Sequence, residues 1–183
     1  VEKINEPEVQ SMFRNIIEGH INKIELLECR GSKDFLYQSL GYFKEPERTD
    51  IKNAQYLLHC NEFEEAEPKN ITPLQAIPRF QKMVDALGLS CQFELSKNMA
   101  SNAVFIGEKA KLKIKKDALF TAKEVEMLAH HEIGVHFITS VNAKKQPLNF
   151  LRDGIPLNTH TQEGLAILAE YLSGNMTLTR LKI

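Results

Sequence analysis

The hydrophobic period of this chain changes twice along its length, and that restricts the folds open to it. After Pro7, a residue suited to the first turn of a helix, Val9, Phe13, Ile16, Ile17, Ile24 and Leu27 recur at three- and four-residue spacing. Gly31 closes that stripe, and Ser32 is placed to cap a second helix carrying Phe35, Leu36 and Leu40 up to Gly41 and Pro46. A third, short helix is expected over 51–58. Thr72 followed by Pro73 marks another helix start, whose stripe Phe80, Met83, Val84 and Leu87 stops at Gly88. Between 91 and 115 the period falls to two. Segments 91–95, 103–106 and 111–115 read as short strands, the last two joined by a turn around Gly107 and Glu108. From Thr121 the helical period returns. This pattern predicts an α+β fold, mostly helical, packed around a small antiparallel sheet of about three strands. The Leu and Phe stripes of the first helices are expected to be core.

A chain of 183 residues can bury one such core, so a single domain over 1–183 is expected. Within it the run 61–70, with Glu62, Glu64, Glu65, Glu67 and Pro68, reads as a solvated connector between a helical N-terminal part, 1–70, and a core, 71–183. Lys and Arg number 23 against 24 Asp and Glu, which leaves no electrostatic footprint for nucleic acid. No stretch approaches the ~18 apolar residues of a membrane span. Cys29, Cys60 and Cys91 are widely spaced and odd in number, so reduced thiols and a cytoplasmic setting are expected. Since the chain opens on Val1 and stops at Ile183 in what reads as a starting helix, it is expected to be a piece of a longer protein.

Thr121 and Glu124 form a capping-box pattern opening a helix through Val125, Leu128, Ile133 and Phe137. Inside it lies HHEIGVH at 130–136, with half of the chain's 6 histidines. On a regular helix, positions four apart differ by about 40° and positions five apart by about 140°. His131 and His136 can therefore face one ion only where the helix holds an extra residue in a turn, and Gly134 marks the place where a π-bulge is expected. Two imidazoles and one carboxylate with an open fourth position are the donor set of a catalytic zinc, so a third ligand must come from elsewhere. Downstream acids are few: Asp153, Glu163 and Glu170. Glu163 is the choice. It sits in the first turn of a helix that Thr159 and Gln162 open as a second capping box, with Leu165, Leu168 and Leu172 running to Gly174 and small neighbours Gly164 and Ala166 allowing close approach. Glu170 lies about 10.5 Å further by helix rise, too far for the same ion but able to support a ligand from behind. His160 is a weaker alternative to Glu163. His130 reads as structural or as support for a neighbouring ligand, and His20 and His59 carry no signal.

HEIGVH at 131–136 together with TQEGLA at 161–166 resembles the QEGLA-motif family, known in bacteria as flavohaemoglobin-expression-modulating proteins and related to the microtubule-associated tyrosine carboxypeptidases, zinc enzymes that remove the C-terminal tyrosine of α-tubulin. The resemblance is carried mainly by residues 103–181. The same histidine spacing, on another fold, is used by dipeptidyl-peptidase III enzymes. The resemblance implies a zinc-dependent carboxypeptidase with His131, His136 and Glu163 as ligands, Glu132 as general base for the attacking water, and a peptide or protein C-terminus as substrate. Arg152 is a candidate for the substrate carboxylate, because its guanidinium binds bidentately. Lys113, with Lys111 and Lys115 on the strand opposite Leu112 and Ile114, is another, although lysines also guard an exposed edge strand, which is the favoured reading here. The residues alone leave endopeptidase and aminopeptidase open, since the choice depends on what blocks the cleft. A reading from another class is a catalytically silent zinc or interaction module acting through a partner. Glu132 argues against it, because a structural site takes four protein ligands and needs no free carboxylate beside them. A last alternative is a helix segment that binds no metal.

Overall fold

The computed structural model of the chain describes residues 1–60, 67–152 and 154–182, so most of the acid-rich connector, Glu62, Glu64 and Glu65 included, and Asp153 lie outside the described residues. Helix α1 (Pro7–Glu28) starts on its proline and ends before Gly31, which turns the chain at φ +82°. Helix α2 (Phe35–Phe43) is entered through Asp34 rather than Ser32, whose Oγ accepts the Asp34 N–H at 3.2 Å. Helix α3 (Arg48–His59) begins earlier than its apolar residues suggest, because Glu47 and Asp50 form a reciprocal capping box. Thr72 and Gln75 do the same for α4 (Pro73–Ala86).

Strands β1 (Gln92–Ser96), β2 (Ala103–Ile106) and β3 (Lys111–Lys115) make one sheet in the order β1-β3-β2. It is mixed, not antiparallel: β2 runs antiparallel to β3, while β1 pairs parallel with β3 on its other side. The tight turn at Gly107–Lys109 makes β2 and β3 neighbours, and that leaves only the far side of β3 for β1. The lysine strand is consequently central, so its lysines do not guard an edge. They make cross-strand pairs, with Lys111 Nζ 2.6 Å and Lys113 Nζ 3.5 Å from the Glu94 carboxylate of β1.

Beyond the sheet come α5 (Ala122–Leu128), a π-helix (Ala129–Phe137), α6 (Ile138–Lys144), α7 (Asn149–Arg152), α8 (Thr159–Leu172) and α9 (Leu178–Leu181). Ile71 and Phe120 exchange backbone hydrogen bonds of 3.0 and 2.9 Å, which brings the starts of α4 and α5 together. The core lies between them and the sheet: Phe80 and Val84 of α4, Leu112 and Ile114 of β3, Phe120, Val125, Ile133 and Phe137 are all buried. Among the described residues, none of its buried members precedes Ala76. The N-terminal stripes are thus not core as expected: Ile24, Leu27 and Leu36 are 55%, 60% and 63% exposed. Helix α1 packs on α2 and on the turn Pro156–Asn158, with Phe13 edge-on to Phe150 at 5.3 Å, and no second layer of described residues covers its remaining apolar face. An amphipathic stripe shows which face can be buried, not that something is there to bury it. No helix among the described residues is long and apolar enough to cross a membrane.

Candidate metal centre

Thr121 Oγ1 accepts the Glu124 N–H at 3.0 Å and Glu124 Oε2 accepts the Thr121 N–H at 2.9 Å, so α5 opens on the expected box. The helix then widens for nine residues, Ala129–Phe137, into the π form. There the backbone bond reaches five residues rather than four, so residues five apart share a face. The widening expected from the histidine spacing is therefore present, with the rings of His131 and His136 4.9 Å apart and 65° between planes.

Helix α8 packs along this π-helix and brings Glu163 between the two rings. Its Oε2 lies 3.6 Å from His131 Nε2 and its Oε1 3.7 Å from His136 Nε2. The three ligand atoms lie within 4.8 Å of one another. Ligands at about 2.0–2.1 Å in a tetrahedron stand about 3.4 Å apart, so two imidazoles and a carboxylate this close together could hold a metal ion. Closeness of the two helices rests on Ala166, which is fully buried; a Cβ on Gly164 would meet nothing within 4 Å. The second expected capping box does not form. Asn158 precedes the helix without a side-chain cap, Thr159 Oγ1 donates to Pro156 O at 2.9 Å, and Gln162 hydrogen-bonds His136.

Glu170 stands behind the cluster, buried at 1% exposure. Its Oε1 is 2.7 Å from His131 Nδ1, which leaves Nε2 turned to Glu163. Arg180, on α9, grips the same carboxylate twice, Nε to Oε2 and Nη2 to Oε1, both at 2.9 Å. Burial pushes this carboxyl up, but the hydrogen bonds from His131 and Arg180 outweigh it and hold its pKa at about 2. Burial pulls His131 down, and the Glu170 hydrogen bond with the charges of Glu132, Glu170 and Glu163 overcomes it, leaving the group raised. His136 is lowered by burial and then by His131. Glu132, 6% exposed, points from the π-helix toward β2, where its Oε2 accepts the Phe105 N–H at 2.8 Å. Burial raises its pKa against that hydrogen bond.

His131, Glu132, His136 and Glu163 open on a cleft of about 750 Å³, within the usual range for small-ligand sites. Its walls include Val104 and Phe105 of β2, Lys144, Arg152, Gln162 and Glu163. Arg152 is thus at the cleft, its Nε donating to Gln146 O at 3.2 Å. Lys113 is not brought there and pairs with Glu94. His160 lies against Phe43, ring centroids 6.1 Å apart, and His130 is outside the three-ligand group. Sequence reasoning missed Arg180, ten residues beyond Glu170 and past a helix break, where no local signal exists. It read Gln162 as a cap although it stands beside Glu163 in the motif. A family model described as microtubule-associated tyrosine carboxypeptidase matches residues 1–183. Searches of curated proteins and of solved structures returned no match.

Proposed function

The chain belongs to the microtubule-associated tyrosine carboxypeptidase family, and on that premise we propose that it is itself a zinc-dependent carboxypeptidase of peptide or protein C-termini. The observation that carries the proposal is the convergence of His131, His136 and Glu163 within 4.8 Å beside a buried carboxylate, Glu132, on the wall of the same cleft. These three residues would hold the zinc, which when bound supplies Lewis acidity to the scissile carbonyl. Glu132 takes a proton from the attacking water at its carboxylate and passes it to the leaving amine. Its burial favours the protonated form that the second half of that exchange requires, while the Phe105 N–H holds one of its oxygens where Glu132 lines the cleft. Arg152, oriented through its Nε by Gln146 O, binds the free carboxylate of the substrate. Free Cys29, Cys60 and Cys91 fit a reducing cytoplasmic setting.

The test uses zinc-loaded protein, peptides ending in a free aromatic residue and the same peptides amidated at the C-terminus. Cleavage of the free acids, loss of cleavage on amidation and loss of activity in Glu132→Gln are expected. If neither set is cleaved, the silent zinc or interaction module replaces the peptidase. Metal content separates both from a helix without metal, since one zinc per chain is expected, lost in the His131→Ala plus His136→Ala variant.

A further inference from the structure

We propose that Arg180 is a positioning residue of this metal centre, holding the Glu170 carboxylate in one plane and through it the His131 ring in the orientation that aims Nε2 at the ion. The inference rests on the zinc reading above. Glu170 is almost wholly removed from solvent, so an ionised carboxylate there needs donors for both oxygens. Oε1 is shared between His131 Nδ1 at 2.7 Å and Arg180 Nη2 at 2.9 Å, while Oε2 receives Arg180 Nε at 2.9 Å. Two parallel bonds from a rigid fork fix the plane of the carboxylate, which one point contact cannot do. That plane sets where the Oε1 lone pair meets His131.

The chain holds the fork in place by local means. Just past the end of α8 at Leu172, Gly174 turns the chain at a φ of +74°, and Thr177 Oγ1 caps α9 by accepting the Arg180 N–H at 3.2 Å. Lys182 Nζ donates to Cys60 O at 2.7 Å and ties the end of the arm to the end of α3. Among the described residues, the Arg180–Glu170 pair joins the short C-terminal segment to the metal site, and Lys182 ties the segment separately to the end of α3.

The experiment measures the affinity for zinc alone by chelator competition, with thermal melting of each metal-free protein as the check on folding. Arg180→Lys keeps a cation but loses the fork, and a loss of about tenfold in zinc affinity is expected, as is usual for partners behind a ligand. Arg180→Ala is expected to lose at least as much in the native background and nothing further in a Glu170→Ala background, since the effect runs through Glu170. Lys182→Ala, on the same arm, is expected to leave zinc affinity unchanged. The d–d absorption of the cobalt-substituted protein should change in Arg180→Lys, reporting a moved His131, and not in Lys182→Ala. Native affinity and spectrum in Arg180→Lys, or a full Arg180→Ala effect in the Glu170→Ala background, overturns the proposal while zinc binding by the unaltered protein stands. Failure of the unaltered protein to bind zinc overturns the zinc reading and this inference together.

Discussion

Glu132 and Glu163 are carboxylates on facing helices with opposite surroundings, the first 6% exposed and the second with its side chain 53% exposed. Their replacements should separate accordingly. Glu132→Gln is nearly isosteric and cannot take a proton, so it should keep bound zinc and fold yet lose hydrolysis by at least about 100-fold. Glu163→Gln puts a neutral amide against the ion and should lower metal content first. Parallel metal analysis and peptide assays read both, and equal activity of Glu132→Gln and native protein would exclude the base assigned here. Gly107 offers a packing test at the cleft rim. A Cβ there would stand 2.8 Å from Ser140 Oγ, and the Gly107 carbonyl accepts from Ser140 Oγ at 3.3 Å and Lys144 Nζ at 2.8 Å. Gly107→Ala is expected to cost about 1 kcal/mol in denaturant unfolding by displacing that latch. At this scale His131, Glu132, His136 and Glu163 were legible because each belongs to a short string of neighbours. Arg180 was not, because only the path of the chain after Gly174 returns it to Glu170.

The π-helix is the element on which the site depends. Its need was legible from five-residue spacing alone, since a regular helix would send the two rings apart. The role first given to Gly134 is narrower than expected: its φ is not positive, and an added Cβ would meet Met83 Cε at 3.6 Å, an ordinary contact. Gly134→Ala should therefore keep zinc and gain up to about 1 kcal/mol, because glycine in a helix costs that much relative to alanine. Deleting residue 134 differs. It restores four-residue spacing but rotates everything after it by about 100°, taking Phe137 and Val141 off the core, and should cost more than about 3 kcal/mol. Thermal melting of the two variants decides between a glycine requirement and a length requirement. For other elements, caps at Thr72 and Thr121 were legible and formed, whereas Thr159 and Gln162 were drawn to Pro156 and His136 instead.

Across the whole molecule, stability is concentrated where α4, the sheet and the α5–π-helix segment meet. Phe80→Ala or Leu112→Ala should cost about 3–5 kcal/mol, while Ile24→Gln and Leu36→Gln on the exposed stripes should fall within about 0.5 kcal/mol of the native protein. A large cost at Leu36 would show that the N-terminal face is covered in solution. A zinc ion held as proposed would join the π-helix to α8, so a chelator should lower Tm and added zinc restore it; a hundredfold excess over Kd corresponds to about 2.7 kcal/mol. What the amino-acid order determined by itself is what near neighbours encode: the longer helices and the strands by their periods, though not α7 in a stretch that reads as irregular, two of the caps, and the histidine spacing that demands a widened turn. Tertiary structure alone decided that β1 lies parallel to β3, that lysines occupy a central strand, that the first helices keep apolar faces exposed, and that Arg180 closes on Glu170. Each of these depends on which distant segment arrives at a surface, and a period or a motif carries the chemistry of a face but not the identity of what packs against it.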